Sequence, residues 1–292
     1  YGIRKYCAVV DPEEADYYYM GQLTNHKNIT QINPYETFQY LSTMPEKHIC
    51  DYEGEGGQEY GAGGCSIPPW LYKTIMSING PLKKYSNQAE YPECYIQKLF
   101  TRPTFSHLLM HIIKNENEQF EFPSEKSVGF RGYLNHPVRQ LIAQALTTCD
   151  LFQKDIVLNR FWSGPSIVGS DIQQQYIHDM IKHPISLCPR GSGIDSVRLI
   201  ETCYYTRVPV LISDHDYQMV GEDHYDTSFC FKICNVNMTT DFITNELYKI
   251  YNTPIEELRS RAILARKYFD QVIRKYFEDP TLYFLQWLKQ YD

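Results

Sequence analysis

Residues 185–214, ISLCPRGSGIDSVRLIETCYYTRVPVLISD, read as strand, glycine loop, helix and strand. Ile185, Leu187 and Cys188 make a short apolar run that Pro189 ends, and Val208 to Ser213 repeats the pattern after a turn at Thr206 and Arg207. Both runs have the character of buried parallel strands. Between them Gly191 and Gly193 permit positive φ and close backbone approach, and Asp195 or Ser196 can cap the helix that follows. That geometry aims main-chain N–H groups and a helix N-terminus at the loop, which favours an anion. Arg190 adds a cation. On the helix, Val197, Ile200 and Tyr204 share one face, while Arg198 and Glu201, three apart, share another. A guanidinium beside phosphates and a carboxylate one turn deeper suit a nucleoside diphosphate, the carboxylate accepting from ribose hydroxyls. An ordinary surface ion pair is the competing reading of the same spacing.

These residues carry a family resemblance. The order C-P-R-G-x-G-x-D-S-x-R-L-x-E, followed by a V-P-V strand ending in S-D, resembles the sugar-nucleotide signature of the exostosin-like glycosyltransferases. The resemblance implies that Arg190, Gly191, Gly193, Asp195, Ser196, Arg198 and Glu201 surround the donor nucleotide, with Glu201 on the ribose. The family has a small residue and a glycine before the V-P-V strand, where this chain has Thr206 and Arg207. A second segment, VVDPEEADYYYM near the start, is similar to the family's D-P-x-x-A-D-x-F. Phe130-Arg131-Gly132, with Arg139 downstream, resembles the start of its donor domain and places Arg131 on the leaving phosphates; a structural ion pair is the alternative for Arg131.

With 292 residues, of which 43% are hydrophobic and 14% aromatic, the chain is long enough for two α/β domains of ordinary size. A formal net charge of -7 argues against a nucleic-acid backbone or an anionic membrane as the main partner. Nine cysteines without CxxC pairs indicate neither a disulfide framework nor a zinc site. No apolar run reaches the length of a membrane span, and the first residues lack the apolar core of a signal peptide. The expectation is a cytoplasmic protein, or a Golgi-lumenal one if an N-terminal anchor has been trimmed.

Along the chain, Tyr6 to Val10 and Asp16 to Met20 read as strands, Pro34 to Met44 as a helix, Trp70 to Ile78 as a helix and Phe105 to Lys114 as an amphipathic helix. After a short strand at Ile49-Cys50, the stretch DYEGEGGQEYGAGG reads as a glycine-rich loop holding Asp51, Glu53, Glu55 and Glu59. An inverting transferase needs a general base for the acceptor hydroxyl, and Asp51, Glu53 and Glu55 are the candidates as a group; solvated loop acids are the alternative. Ser127 to Phe130, Ile156 to Phe161 and Phe229 to Ile233 read as further strands, alternating with helices over Leu134 to Thr147 and Gln173 to Lys182. Helices then dominate from Asp241 to the end. Such alternation predicts parallel sheets.

The expected fold class is α/β, a GT-B arrangement of two Rossmann-like domains facing a central cleft: 1–122 on the acceptor side, 123–265 on the donor side, and 266–292 as terminal helices packing across both. The resemblance implies an inverting, metal-independent transferase that uses a UDP-sugar, with xylose as the first choice, and a glycan or glycoprotein acceptor. It is similar to the short soluble members of bacteria and large algal viruses, which would place a viral protein in host cytoplasm. No cofactor is expected beyond the co-substrate. Asp214-His215-Asp216 leaves a metal-dependent DxD mechanism open, and His224, Tyr225 and Asp226 are candidates to flank the donor sugar or to form a surface loop. A non-catalytic nucleotide-sugar or glycan-binding subunit is the reading from another functional class.

Overall fold

The computed structural model describes residues 10–23, 34–38, 40–55, 75–79, 99–102, 108–109, 119–159, 170–191, 196–214, 219–222 and 225–289, with the side chains of 12, 21–23, 34–35, 51–55, 75–79, 99–102 and 159 excepted. The chain divides into two compact units, one of residues 1–103 with 275–292 and the other of 104–274. The sequence reading put these divisions at 122/123 and 265/266.

The first unit has a sheet of four parallel strands in chain order: β1 (Tyr18–Leu23), β2 (His48–Glu55), β3 (Ile75–Asn79) and β4 (Leu99–Arg102). Two expectations are corrected here. β2 does not stop at Cys50 but runs on to Glu55, so Asp51, Glu53 and Glu55 lie in a strand and not in a loop. β1 pairs with β2 as far as Tyr52, and beyond a register shift between Tyr52 and Glu55 the strand pairs again with β3 at Glu55–Asn79, which carries the extended backbone past Gly54 despite that residue's weak strand preference. The apolar run expected to be helical up to Ile78 is β3 from Ile75, a length at which apolar runs do not distinguish strand from helix by period. The expected Pro34–Met44 helix is one turn, α1 (Pro34–Thr37); Tyr40 then takes a left-handed φ of 68° and stacks on Tyr18, with ring centroids 5.4 Å apart. Pro12–Glu14 is a 3-10 turn, and the expected strand at Tyr6 to Val10 falls outside the described residues but for Val10.

The second unit has five parallel strands: β5 (Val128–Tyr133), β6 (Lys154–Asn159), β7 (Ile185–Pro189), β8 (Val208–Ser213) and β9 (Phe231–Cys234), in the spatial order β6-β5-β7-β8-β9. Between them run α2 (Pro137–Thr148), α3 (Asp171–Lys182) and α4 (Val197–Tyr204), followed by α5 (Thr240–Tyr251) and α6 (Ile255–Tyr268). Val128, Phe130, Ile185, Leu187, Val208, Val210, Ile212 and Ile233 pack with Ile142 and Leu146 of α2, Ile243 and Leu247 of α5 and Leu258 of α6. Each such side chain contributes about 1.5–3 kcal/mol on burial. The other face carries a polar chain under α4, in which Thr202 donates to Ser186 at 3.1 Å and lies 3.5 Å from Cys188 Sγ. Every residue of β7 and β8 is buried, as expected of strands covered on both faces.

The turn between α4 and β8 explains how this chain manages without glycine. Thr206 adopts φ 56°, and the buried Arg207 side chain donates to the carbonyls of Ile181, Tyr205 and Thr206 at 2.5–2.9 Å. Those are carbonyls that helix ends leave without intrahelical partners. Burial pulls the Arg207 pKa down to about 10.

α6 passes through a π-helical turn (Phe269–Ile273) into α7 (Arg274–Glu278), which displaces the apolar stripe so that Phe269, Val272 and Ile273 are all buried. Asp279 caps α8 (Pro280–Leu288), whose Leu288 packs with Ile49 of β2 alongside Phe284 and Trp287. The terminal helix therefore completes the first unit. The fold class is α/β, with two units each built on a parallel sheet. Among the described residues no helix is long and apolar enough to cross a membrane.

Candidate functional site

The strand order of the second unit places a reversal between β5 and β7: from β5 the chain crosses to β6 on one side, then returns past β5 to β7 on the other. Open parallel sheets bind ligands at such a point, outside the carboxyl ends of the strands. β5 and β7 pair only at Val128–Ile185 and Gly129–Ser186, and they part beyond. Residues at the far ends of these two strands therefore border the split.

Arginines fill it. Arg131 lies in β5, and its Nε donates to Asp179 Oδ2 of α3 at 2.5 Å. Arg198, in the first turn of α4, donates to the Arg131 carbonyl and lies over the rings of Tyr176 and Phe130, 4.6 and 5.3 Å from their centroids. Arg190 follows β7. Its N–H donates to the Ile212 carbonyl at 2.9 Å, which extends the β7–β8 ladder by one bond, and its Nη1 donates to Asp214 Oδ1 at 2.7 Å. Arg139, on α2, donates to the carbonyls of Tyr133, Pro189 and Arg190 at 2.9–3.3 Å and so ties the end of β5 to the end of β7. Burial, and then the charge of Arg198, pull the Arg139 pKa down to about 10. Gly191 passes this guanidinium closely: a Cβ there would sit 3.2 Å from Arg139 Nη2.

Arg198 and Glu201 do share one side of α4, as the three-residue spacing requires, but the side faces inward. Glu201 Oε2 accepts from the Tyr176 hydroxyl at 2.5 Å. Burial, together with the Glu201 charge, raises the pKa of Tyr176 well above the ordinary phenol value. Four guanidinium groups thus meet three carboxylates, those of Asp179, Glu201 and Asp214, at the ends of β5, β7 and β8. Among the described residues one positive charge is in excess, which favours an anion such as a phosphate group.

Of the residues singled out by sequence, Arg131, Arg190, Gly191, Ser196, Arg198 and Glu201 are brought to this region of the second unit. Ser196 is buried and begins α4 without a side-chain cap bond. Gly193 and Asp195 lie outside the described residues, as do His215, Asp216 and His224. Asp51, Glu53 and Glu55 belong to the first unit, in the second half of β2. Asp226 accepts from the Ser228 N–H at 2.9 Å and Tyr225 reaches the Gln271 carbonyl at 3.5 Å. The Asp226 contact is local, and that of Tyr225 is to the π-helical turn.

Tyr176 and Asp179 are the residues that sequence reasoning did not assign to the site. Both lie on α3, where Gln173 and Met180 are the fully buried residues. Their spacing of three on a helix that precedes β7 was the available signal, because it puts a phenol and a carboxylate on one helix face.

No protein family matches the chain, and no curated protein does. Thirty-one chains of solved structures match. They include a crystal structure of TarM, with a TM-score of 0.40 and 11% identity over 84% of this chain and 54% of that one. Another is a crystal structure of a GtfA/B complex, with a TM-score of 0.39 and 12% identity over 86% of this chain and 59% of that one. The chain spans a little over half the length of each.

Proposed function

We propose that this protein is an inverting, metal-independent glycosyltransferase, a short member of the exostosin-like family, that moves a sugar from a UDP-sugar to a hydroxyl of a glycan acceptor. The observation that carries the reading is the arginine cluster at the β5/β7 reversal, built by the strand–glycine–helix unit whose sequence suggested it. In this reading Arg131 and Arg190 bind the diphosphate and stabilise its charge as the sugar leaves, and Glu201 accepts from the ribose. One carboxylate among Asp51, Glu53 and Glu55 removes the proton from the acceptor hydroxyl as that oxygen attacks the anomeric carbon from the face opposite the leaving group. Xylose is the proposed sugar. Support for a metal-free route comes from Asp214, whose carboxylate accepts from Arg190 at 2.7 Å, a pairing that a cation would have to displace.

The test is thermal stabilisation by a panel of nucleotides and nucleotide sugars, on wild type, Arg190→Ala and Glu201→Ala. A ligand that binds only the folded state raises the melting temperature. A shift with UDP compounds, weakened in both variants, supports the donor site and selects the sugar for a transfer assay. Absence of any shift in folded wild type overturns the reading.

A further inference from the structure

The Tyr176 hydroxyl and ring make two different contacts with the two charged residues of α4. The hydroxyl donates to Glu201 Oε2 at 2.5 Å, a length typical of a bond to an ionised carboxylate. The ring lies under the Arg198 guanidinium at 4.6 Å, within the range of a cation–π contact. One side chain from α3 therefore fixes both the anionic and the cationic member of the pair, across the gap between neighbouring helices. Arg198 is held from its other side by the Arg131 carbonyl and the Phe130 ring, both of β5. The bond from Tyr176 links the Glu201 carboxylate of α4 to α3.

We propose that Tyr176 is a positioning residue of the donor site, orienting the Glu201 carboxylate toward the ribose and thereby making the site selective for a ribonucleotide over a bare diphosphate. The proposal rests on the reading of Glu201 as the ribose acceptor. A carboxylate has about four lone-pair sites, so the bond from Tyr176 orients it without exhausting its capacity to accept from a sugar diol. Freed of that bond, the side chain of a glutamate has three rotatable bonds to populate, and its pairing with ribose carries an added ordering cost. Arg131 and Arg190, the proposed diphosphate ligands, bond to Asp179 and Asp214, and a phenylalanine at 176 deletes neither bond. Ribose recognition and diphosphate recognition are therefore separable by substitution.

The experiment titrates wild type, Tyr176→Phe, Glu201→Gln and the double variant with UDP and with inorganic pyrophosphate, by calorimetry, with a melting curve for each protein. Phenylalanine keeps the ring beneath Arg198 and deletes one oxygen. Tyr176→Phe is expected to weaken UDP about tenfold and to leave pyrophosphate within about twofold, the loss of one hydrogen bond to a charged group. The double variant is expected to bind UDP no more weakly than Glu201→Gln alone, because residues acting through one interaction are not additive. If Glu201→Gln weakens UDP while Tyr176→Phe does not, the inference fails and the donor-site reading survives. Equal weakening of UDP and pyrophosphate in Tyr176→Phe also overturns it, as that marks a general loss of structure. Wild type that binds pyrophosphate but gains nothing from the nucleoside overturns the ribose role on which it rests. Should Tyr176→Phe not fold, the Glu201→Gln protein compared with wild type on UDP and 2′-deoxy-UDP decides: an unchanged preference for the 2′-hydroxyl refutes the proposal.

Discussion

Asp214→Asn separates the two mechanisms that the sequence left open. Asp214 is the first residue of the Asp-His-Asp triplet, so a metal-dependent site would need its charge. In the structure that charge is applied to Arg190: Oδ1 accepts from Nη1 at 2.7 Å, with the two side chains 29% and 4% exposed. Unit charges 4 Å apart attract by about 4 kcal/mol at an effective dielectric of 20. Solvent on the aspartate side reduces the net value of such a pair to about 1 kcal/mol, the usual range for partly exposed ion pairs. In the proposed donor site an incoming diphosphate would compete with Asp214 for the same guanidinium. Neutralising the aspartate removes that competition while the amide oxygen still accepts one bond, so pyrophosphate and UDP are expected to bind about fivefold to tenfold more tightly. Titration calorimetry of wild type and Asp214→Asn, each in EDTA and in manganese, reads this directly. Tighter binding without manganese dependence agrees with the charge-exchange account. Weaker binding in the variant, together with manganese-dependent binding in wild type, refutes it and assigns Asp214 to a metal.

Arg207→Ala removes the donor from the carbonyls of Ile181, Tyr205 and Thr206 and is expected to cost about 3–5 kcal/mol, lowering the melting temperature by about 10 °C; a drop under 2 °C contradicts the role assigned to it. Arg207→Lys recovers only part of that loss, because one ammonium cannot reach carbonyls of two separate segments at once. His183 is buried against Gly129, with Ser127 Oγ 2.8 Å from its Nδ1, and burial lowers its pKa below the ordinary 6.5. Below pH 6.5 the unfolded chain takes up a proton that the folded chain refuses, so stability falls as pH drops from 6.5 toward the folded-state pKa and is constant in this respect well above pH 6.5. His183→Gln is expected to flatten that part of the melting-temperature profile, and an unchanged profile refutes the assignment. Among Asp51→Asn, Glu53→Gln and Glu55→Gln, one is expected to reduce transfer by about 10²–10⁴-fold with UDP binding unchanged, and full activity in all three removes the group from catalysis.

Much of the second unit was legible because its chemistry is local. The apolar runs at Ile185 and Val208, the Pro189 stop and the three-residue spacing of Arg198 and Glu201 are properties of adjacent residues, and each has its counterpart in β7, β8 and α4. The partners of the charges were not legible. Asp179 meets Arg131 across 48 positions and Tyr176 meets Glu201 across 25, and no local pattern specifies which carboxylate a buried arginine will find. The first unit was read less well for a related reason. Gly54 and the acidic residues around it have weak strand preference, yet β2 is paired on both sides as far as Tyr52 and with β3 again at Glu55. Ile75–Asn79 is too short for periodicity to separate strand from helix. At Thr206 the backbone conformation that glycine would favour survives without glycine, because Arg207 satisfies the carbonyls that the turn exposes.

The split between β5 and β7 shows why the arginines are arranged as they are. Parting two parallel strands at their carboxyl ends removes ladder partners, and main-chain carbonyls left there need donors. Arg139 supplies them for Tyr133, Pro189 and Arg190, and Arg198 does so for Arg131. These two guanidinium groups serve the fold first, since their donors are directed at backbone. Arg131 and Arg190 differ: each donates to a carboxylate, and a carboxylate can be exchanged for a phosphate oxygen with little change in geometry. Such an exchange keeps the guanidinium paired while the displaced carboxylates, both partly exposed, are left to solvent. The division of labour therefore has a definite consequence for substitution. Changes at Arg139 and Arg198 register first as lost stability, whereas changes at Arg131 and Arg190 register first in the affinity for a diphosphate.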